Sequence, residues 1–259
     1  MIRVEKLIEK LKDKINKEEQ VQQILREIGA ELLTKYEIRI KDIIIEPLRV
    51  EPYLFMPPIY EDKFMHYIDS KNGRIYGPHQ RNRFGKLYIH KGFTGVDIIL
   101  SDSDEYAFSF LIKNSRILIN NEVMYPFVKQ YGVAKILKEH GISNDCDDKV
   151  LYKKESPNNT VVFRTIRNGL NRIVERDDFK KEEQNKYNKL MISSFIELKD
   201  HTSSQFDFEA GYGGDKAVVE YLKEYRLNNP TVSKEELDKM RKELYPNGSK
   251  TEFEKEFKE

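Results

Sequence analysis

The stretch GKLYIHKGFTGVDIILSDSDEYAFSFLIK, Gly85 to Lys113, decides the fold class. It reads as a short strand, a bend that contains glycine, a second strand, a polar turn and a third strand. Successive β-type runs separated by turn chemistry predict an antiparallel sheet. The junction is the odd part. Tyr88, His90, Lys91 and Asp97 crowd around Gly92 and Gly95 at the mouth of an otherwise apolar hairpin. Glycine at such a place lets the backbone bend or approach another group closely.

Upstream, Val4, Leu7, Ile8, Leu11 and Ile15 recur at helical spacing and predict an amphipathic helix. A second helix is expected from about Glu18 to Thr34, with Val21, Ile24, Leu25, Ile28, Leu32 and Leu33 on one face. Strand character follows. Ile38 and Ile40 alternate with Arg39 and Lys41, and Ile43 to Ile45 are β-branched. Pro47 removes a ladder donor, so an edge or a bulge is expected there. The segment from Met56 to Gly85 reads as loop, with Pro57, Pro58, Gly73, Gly77 and Pro78. Long irregular segments in a folded core often carry function.

Downstream, a short helix from Val133 is stopped by Gly141. Val161 to Arg167 reads as strand, Phe179 to Ile196 as mostly helix, and His201 to Gly214 as a loop or linker. After Asp215 the chain is helical and highly charged. Ser233 is an N-cap and Glu236 completes a capping box. The last ten or so residues are expected to be disordered. Two helices, a β-rich middle, a short helix, more strand and then helices make an α+β fold with a curved antiparallel sheet. The expected organisation is an N-terminal helical extension over 1–17, a core over 18–200, and a linker with a helical tail over 201–259.

The 259 residues are 39% hydrophobic and 34% charged, enough to bury a core without staples. The lone cysteine, Cys146, excludes an internal disulfide and points to a reducing compartment, read here as cytoplasmic. No apolar run approaches the roughly 20 residues of a membrane span. With 45 basic and 44 acidic residues the net charge is +1, unlike a strongly basic nucleic-acid binder. Charge is nevertheless uneven. Lys71, Arg74, Arg81, Arg83, Lys86 and Lys91 form a local basic cluster interleaved with Tyr76, Phe84 and Tyr88. It is either a solvated loop or a phosphate-contacting surface.

Five histidines are present, and His66, His79 and His90 could meet in space. No HxxxH, HExxH or CxxC pair accompanies them, so no metal is expected. No phosphate-binding glycine motif and no GxSxG elbow occurs, and no cofactor is expected. Two carboxylates stand out. Glu51 ends a strand just before the loop, where it is either a solvated edge residue or a half-buried general base. Asp97 lies between Val96 and Ile98, which point to the opposite face, so it shares a face with the polar cluster or bonds the backbone near Gly95.

The order of these pieces resembles the alkyladenine (3-methyladenine) DNA glycosylases. The helix at Ile24 to Leu33 is similar to the family's opening helix, and Glu51-Pro52-Tyr53 resembles its Glu-Ala-Tyr step. His66, Arg81-Asn82, the YIHKG hairpin from Tyr88 to Gly92, Asp97-Ile98 and Leu111-Ile112-Lys113 follow in the family's order. Gly132 to Leu137 and Arg167 to Leu170 complete a likeness that covers about Ile24 to Phe195.

The resemblance implies a hydrolase that acts on a base flipped out of double-stranded DNA. Glu51 would activate a water against the sugar carbon of the N-glycosidic bond, and Lys113, an arginine in the family, would help hold that water. Tyr53, His66 and Tyr88, with His90 and Asp97, would form the pocket for a modified purine. Arg81, Asn82, Arg83, Lys91 and Arg167 would contact the DNA. The polar hairpin mouth would then be where a planar ligand enters. Lys91 stands where the family carries a tyrosine wedge, and Asp97 where it carries asparagine. Two other readings stay open: a non-catalytic nucleic-acid or nucleotide binding module on the same fold, and a hydrolase of free nucleosides. The charged C-terminal helices offer a surface for a protein partner or for self-association.

Overall fold

Two long strands organise the N-terminal part of the chain. Strand β2 (Ile43–Met56) and strand β8 (Ala107–Ile119) pair antiparallel from Ile43↔Ile119 to Phe55↔Ala107. The computed structural model describes residues 3–13, 18–62, 65–70, 73–92, 94–142, 148–157, 162–166, 192–196, 214–244 and 249–258. The chain divides into two compact units, Met1–Thr160 and Val161–Glu259, where the sequence reading drew its boundaries after residues 17 and 200.

In the first unit, helices α1 (Arg3–Lys12) and α2 (Glu18–Lys35) pack on one another. Val4, Leu7, Ile8, Leu11, Ile28, Leu32 and Leu33 are buried, as their spacing predicts. Lys12 Nζ donates to both Asp102 oxygens at 2.7 and 2.8 Å, so the first helix is tied to the core. The curled antiparallel sheet runs β10 (Leu151–Lys153), β1 (Tyr36–Ile40), β2, β8, β7 (Val96–Ile99) and β6 (Leu87–Ile89). Strand β3 (Tyr60–Glu61) continues the β1 edge of β2, and β9 (Glu122–Lys129) continues the β7 edge of β8. Asn120 and Asn121, with φ of 52° and 65°, make the tight turn between β8 and β9. Helix α3 (Gln130–Glu139) ends at Gly141, whose φ is 67°.

The expected break at Pro47 is real, and it is double. Pro47 pairs with Ser115 and Arg49 with Asn114, which leaves Leu48 as an extra residue on β2. Arg49 pairs with Asn114 and Val50 with Ile112, which leaves Lys113 as an extra residue on β8. The two bulges cancel, so pairing continues in register beyond them. Each one switches which alternate residues face which side. Past the bulges, Val50, Pro52 and Leu54 lie opposite Ile112, Phe110 and Phe108, and the row at Phe110 extends to Ile98 and Leu87. All of these side chains are buried. Each large apolar one contributes about 1.5–3 kcal/mol through burial. Glu51 and Tyr53 are left on the other face.

The segment expected to be loop holds a separate hairpin, β4 (Tyr67–Ser70) and β5 (Gly73–Tyr76). Its Ile68–Ile75 pair is exposed, so the alternation that marks a half-buried strand is missing. Tyr76 stacks on Phe55 of β2 at 4.4 Å between ring centroids, which fixes the hairpin to the sheet.

In the second unit, β11 (Val162–Ile166) pairs antiparallel with β12 (Ile192–Ile196). Residues 192–196 were expected to be helical. Their pairing with β11 supplies the partner that local pattern does not reveal. Helices α4 (Gly214–Asn228), α5 (Lys234–Leu244) and α6 (Thr251–Glu256) follow. The capping box forms as predicted: the Glu236 N–H donates to Ser233 Oγ at 3.2 Å, and the Ser233 N–H to Glu236 Oε2 at 2.8 Å. The expected disorder of the chain end is overturned, because Phe253 and Phe257 are buried against Val218, Leu222 and Leu237. Cys146, Arg167, His201 and the stretch 201–213 lie outside the described residues. No helix among the described residues is long and apolar enough to cross a membrane.

Gly77 closes the hairpin, with φ at 55° and its N–H donating to His66 O at 2.7 Å. A Cβ there would lie 2.5 Å from both Ala107 Cβ and Met65 Sδ. Gly77→Ala should therefore cost roughly 1–3 kcal/mol, read as a fall in Tm of about 2–4 °C per kcal/mol. An unchanged Tm would refute this account of the turn.

Candidate functional site

The polar face of the sheet carries its chemistry in one row. Glu51 lies opposite Leu111, Leu111 opposite Asp97, and Asp97 opposite Tyr88. Directly opposed residues point to the same face, so four strands present these four side chains together. Tyr53 and Ser109 form the next row along.

Glu51 is 1% exposed. Arg49 Nη2 stands 3.9 Å from its Oε1, and Lys113 Nζ stands 3.8 Å from its Oε2. Both cations come from the double bulge: Lys113 is itself the extra residue of β8, and Arg49 is the pairing step between the two irregularities. Both distances are ion-pair distances, longer than a hydrogen bond. Glu51 Oε1 is buried and has no hydrogen-bond partner among the described residues. An acceptor left that way costs about 1–3 kcal/mol, so it is a place where a donor such as water is held strongly.

Asp97 is the opposite case. It is 3% exposed, and three donors converge on it. Gln80 Nε2 donates to Oδ2 at 2.8 Å and Ser109 Oγ to the same oxygen at 3.2 Å, while His90 Nε2 meets Oδ1 at 3.1 Å. Burial pushes the Asp97 carboxyl up. The His90 charge and the hydrogen bonds from His90, Gln80 and Ser109 outweigh it, and the net shift is downward. Burial likewise pushes His90 down. The Asp97 charge and hydrogen bond outweigh it, and the net shift is upward. The two groups titrate as a pair.

Aromatic rings surround this pair. His79 stacks on Tyr88 at 4.6 Å and 14°, Tyr88 lies 5.1 Å from His90, and His66 meets His90 edge-on at 5.4 Å. Planar faces beside a carboxylate suit a planar, hydrogen-bonding ligand. Among the described residues no three His, Cys, Asp or Glu side chains gather to hold a metal ion.

Of the residues singled out in the sequence, Glu51, Lys113, Tyr53, Tyr88, His90 and Asp97 share the polar face, and His66 joins them through its ring contact. The expected DNA contacts behave differently. Arg81 donates to Tyr76 O at 3.0 and 3.3 Å and to Asp104 O at 2.6 Å, so its guanidinium ties the hairpin to the turn before β8. Burial lowers its pKa. Asn82 takes a φ of 48° and bonds the same turn through Ser103 O and Asp104. Arg83 is half-buried, and Lys91 is exposed in the turn beside Gly92. Gly92 has a φ of 78°, and a Cβ on Gly95 would come within 3.0 Å of Gln130 Nε2 and Leu111 Cδ1.

Arg49, Gln80, Ser109 and the stacking role of His79 were not foreseen. Arg49 had a signal, because it stands two residues from Glu51 on one strand. Gln80 had none, since it reaches Asp97 from a loop. A cavity of about 490 Å³ lies elsewhere, lined by Arg39, Lys41, Lys149 and Tyr152 among others. Two of its cations are engaged: Arg39 bonds Glu37 at 2.5 Å, and Lys41 bonds His140 O at 3.1 Å beyond the end of α3. The row from Glu51 to Tyr88 is the better candidate because it gathers buried charge, an open acceptor and stacked rings. Comparison of the chain with protein-family models, with curated proteins and with solved structures finds no match.

The pair gives a signed pH dependence. His90 is raised, so its contribution to stability is complete below its ordinary value of 6.5 and is lost as pH rises through the raised pKa. Asp97 is lowered, so its contribution is complete above its ordinary value of 3.8 and is lost as pH falls through the lowered pKa. The pair therefore stabilises fully between those two values. In an NMR titration, Asp97→Asn should move the His90 pKa from above its ordinary value to below it, since burial remains and the charge is gone. A His90 pKa that does not respond would mean the pair does not form.

Proposed function

We propose that the first unit is an N-glycosyl hydrolase that releases a modified purine from double-stranded DNA through a water activated by Glu51. The observation that carries this reading is the buried Glu51 carboxylate, with one oxygen lacking a donor among the described residues and two cations beside it. A water on Oε1 is placed where a general base can take its proton as its oxygen attacks the sugar carbon. The electron pair of the N-glycosidic bond leaves with the base, and the carboxylate stands near the positive charge that develops on the sugar. Lys113 and Arg49 fix the carboxylate between them.

Chemistry on a base requires its removal from the stack into a pocket of planar and hydrogen-bonding groups. Tyr53, His66, Tyr88 stacked on His79, and the polar edge at Asp97 would line such a pocket. The cations for phosphate contact are the exposed Arg74 and Lys91, with the half-buried Arg83 and Lys86. Arg81 serves this reading by holding the rim in shape. The single cysteine fits a reducing compartment such as the cytoplasm. A second reading, a module that binds a base without turnover, is favoured by the spacing of the two cations, which also suits a purely structural ion array.

Base release from labelled duplexes carrying hypoxanthine, ethenoadenine or 3-methyladenine tests both readings. Glu51→Gln should lower release by about 10²–10⁴-fold, with affinity for the lesion kept within a few-fold. Full release by that variant would sink the assignment of Glu51. Lesion-specific binding by wild type without any release would select the second reading. Affinity that falls steeply with salt is expected for a duplex and not for a free nucleoside.

A further inference from the structure

We propose that the cavity framed by the turn between β1 and β2, the end of α3 and the segment leading into β10 binds a nucleoside phosphate. It shares no lining residue with the row from Glu51 to Tyr88. The inference therefore stands apart from the N-glycosyl hydrolase reading.

The cavity of about 490 Å³ has the volume of a small-ligand site. Its lining sets Arg39, Lys41 and Lys149 against the carboxylate of Asp148. Lys149 is the plainest of the cations. Among the described residues its ammonium makes no hydrogen bond and no ion pair, and it stands 5.6 Å from the Phe84 ring. An exposed ammonium has three donors and no acceptor, so it attracts an anion. Lys41 occupies the two-residue turn between Ile40 and Ile43 with φ at 54°. That conformation suits asparagine or glycine and is costly for a lysine. It places Nζ 3.1 Å from His140 O and 3.5 Å from Gly141 O, at the negative end of α3. Lys41 thus offsets the repulsion of those carbonyls for an anion and keeps an N–H to donate. Arg39 donates to Glu37 through Nε and lies 3.8 Å from Glu155 through Nη2, which leaves Nη1 for a ligand.

The wall opposite the charge is aromatic. Tyr152 is 45% exposed. Its hydroxyl donates to Lys149 O at 3.1 Å, and the Arg39 guanidinium lies 5.9 Å from its ring centroid. These two contacts fix the ring, and no other aromatic ring covers it among the described residues. A fixed, exposed ring is a platform on which a base stacks. Asp148 is exposed on the same cavity and only accepts hydrogen bonds, which suits the hydroxyls of a ribose.

The lining selects the ligand. Lys149, Lys41 and Arg39 ask for an anion, Asp148 for hydroxyl donors, and Tyr152 for a planar ring. A nucleoside phosphate carries all of these at once. Inorganic phosphate lacks the ring and the ribose, and a nucleoside lacks the anion, so each engages only part of the site.

The test is calorimetric titration of the full chain with AMP, adenosine and inorganic phosphate at low salt. AMP should bind saturably, with adenosine and phosphate each weaker by about tenfold or more. Lys149→Gln should weaken AMP by about tenfold. Tyr152→Ala should weaken it by about 10–100-fold and leave phosphate binding unchanged. Lys41→Gly, which the φ of 54° accommodates, should weaken AMP without lowering Tm. Tyr88→Ala is the control, because its ring belongs to the polar row, and it should leave AMP affinity unchanged. Affinity lost in that variant and kept in the other three would move the ligand to the polar row and overturn the inference. No binding of AMP at millimolar concentration, or phosphate that binds as tightly as AMP, would overturn it as well. These last two results leave the assignment of Glu51 untouched.

Discussion

The structure depends on a pair of opposed irregularities in its longest ladder. β2 and β8 run together over their full lengths, and each carries one extra residue at nearly the same height, Leu48 on one and Lys113 on the other. A single bulge would have slipped the register and turned every later side chain to the wrong face. Two that cancel keep the register and change only the phase. Before them Ile43 and Ile45 face the core, and after them Val50 and Leu54 do. Without that change, Arg49 and Glu51 would be aimed where Phe108 and Phe110 now pack.

The same sheet therefore supports two kinds of energetics. One face is a close-packed layer of Val50, Leu54, Phe108, Phe110, Ile98 and Leu87, in which burial of apolar area favours the fold. The other buries charge, which is costly unless every group finds a partner. The polar face meets that condition unevenly. Glu46 is satisfied by Arg116 and Lys154, and Asp97 by three donors, while Glu51 and Gln80 each keep an oxygen without a hydrogen-bond partner among the described residues. These uneven points are the informative ones, because native interiors seldom leave a buried acceptor unmatched without a use for it.

Much of this was legible in the sequence where a local pattern reports a local cause. The apolar stripe of the second helix, the three-strand run from Gly85 to Lys113, the break at Pro47 and the capping box at Ser233 each follow from a few neighbouring residues. Alternation foreshadowed that Asp97 shares a face with Tyr88, whereas Glu51 was expected at the same site only through the family resemblance. The rest was hidden for definite reasons. The 67–76 hairpin shows an exposed Ile68–Ile75 pair, so no buried face marks it as strand. Strand 192–196 finds its partner 30 residues earlier in the chain. The last helix is held by only two apolar residues, Phe253 and Phe257, among charges that suggest a solvated tail. Spacing puts Arg49 on the face of Glu51, but which face that is depends on the phase of the bulge, and Gln80 acts from a turn that carries no periodicity. The same holds for Arg81, which reads as a surface cation and is instead tied to backbone carbonyls.

A strand whose two sides have separate duties also sets how such a sheet can change over time. Replacing Glu51 or Asp97 alters the polar layer one side chain at a time and leaves the packing beneath it in place. Losing or gaining a single residue near Leu48 or Lys113 exchanges the two layers all at once. Lineages that carry this arrangement are free to trade one chemistry for another by substitution, while the length of the two strands stays fixed. In such lineages constancy of spacing, rather than constancy of residue type, would be the durable mark of common descent.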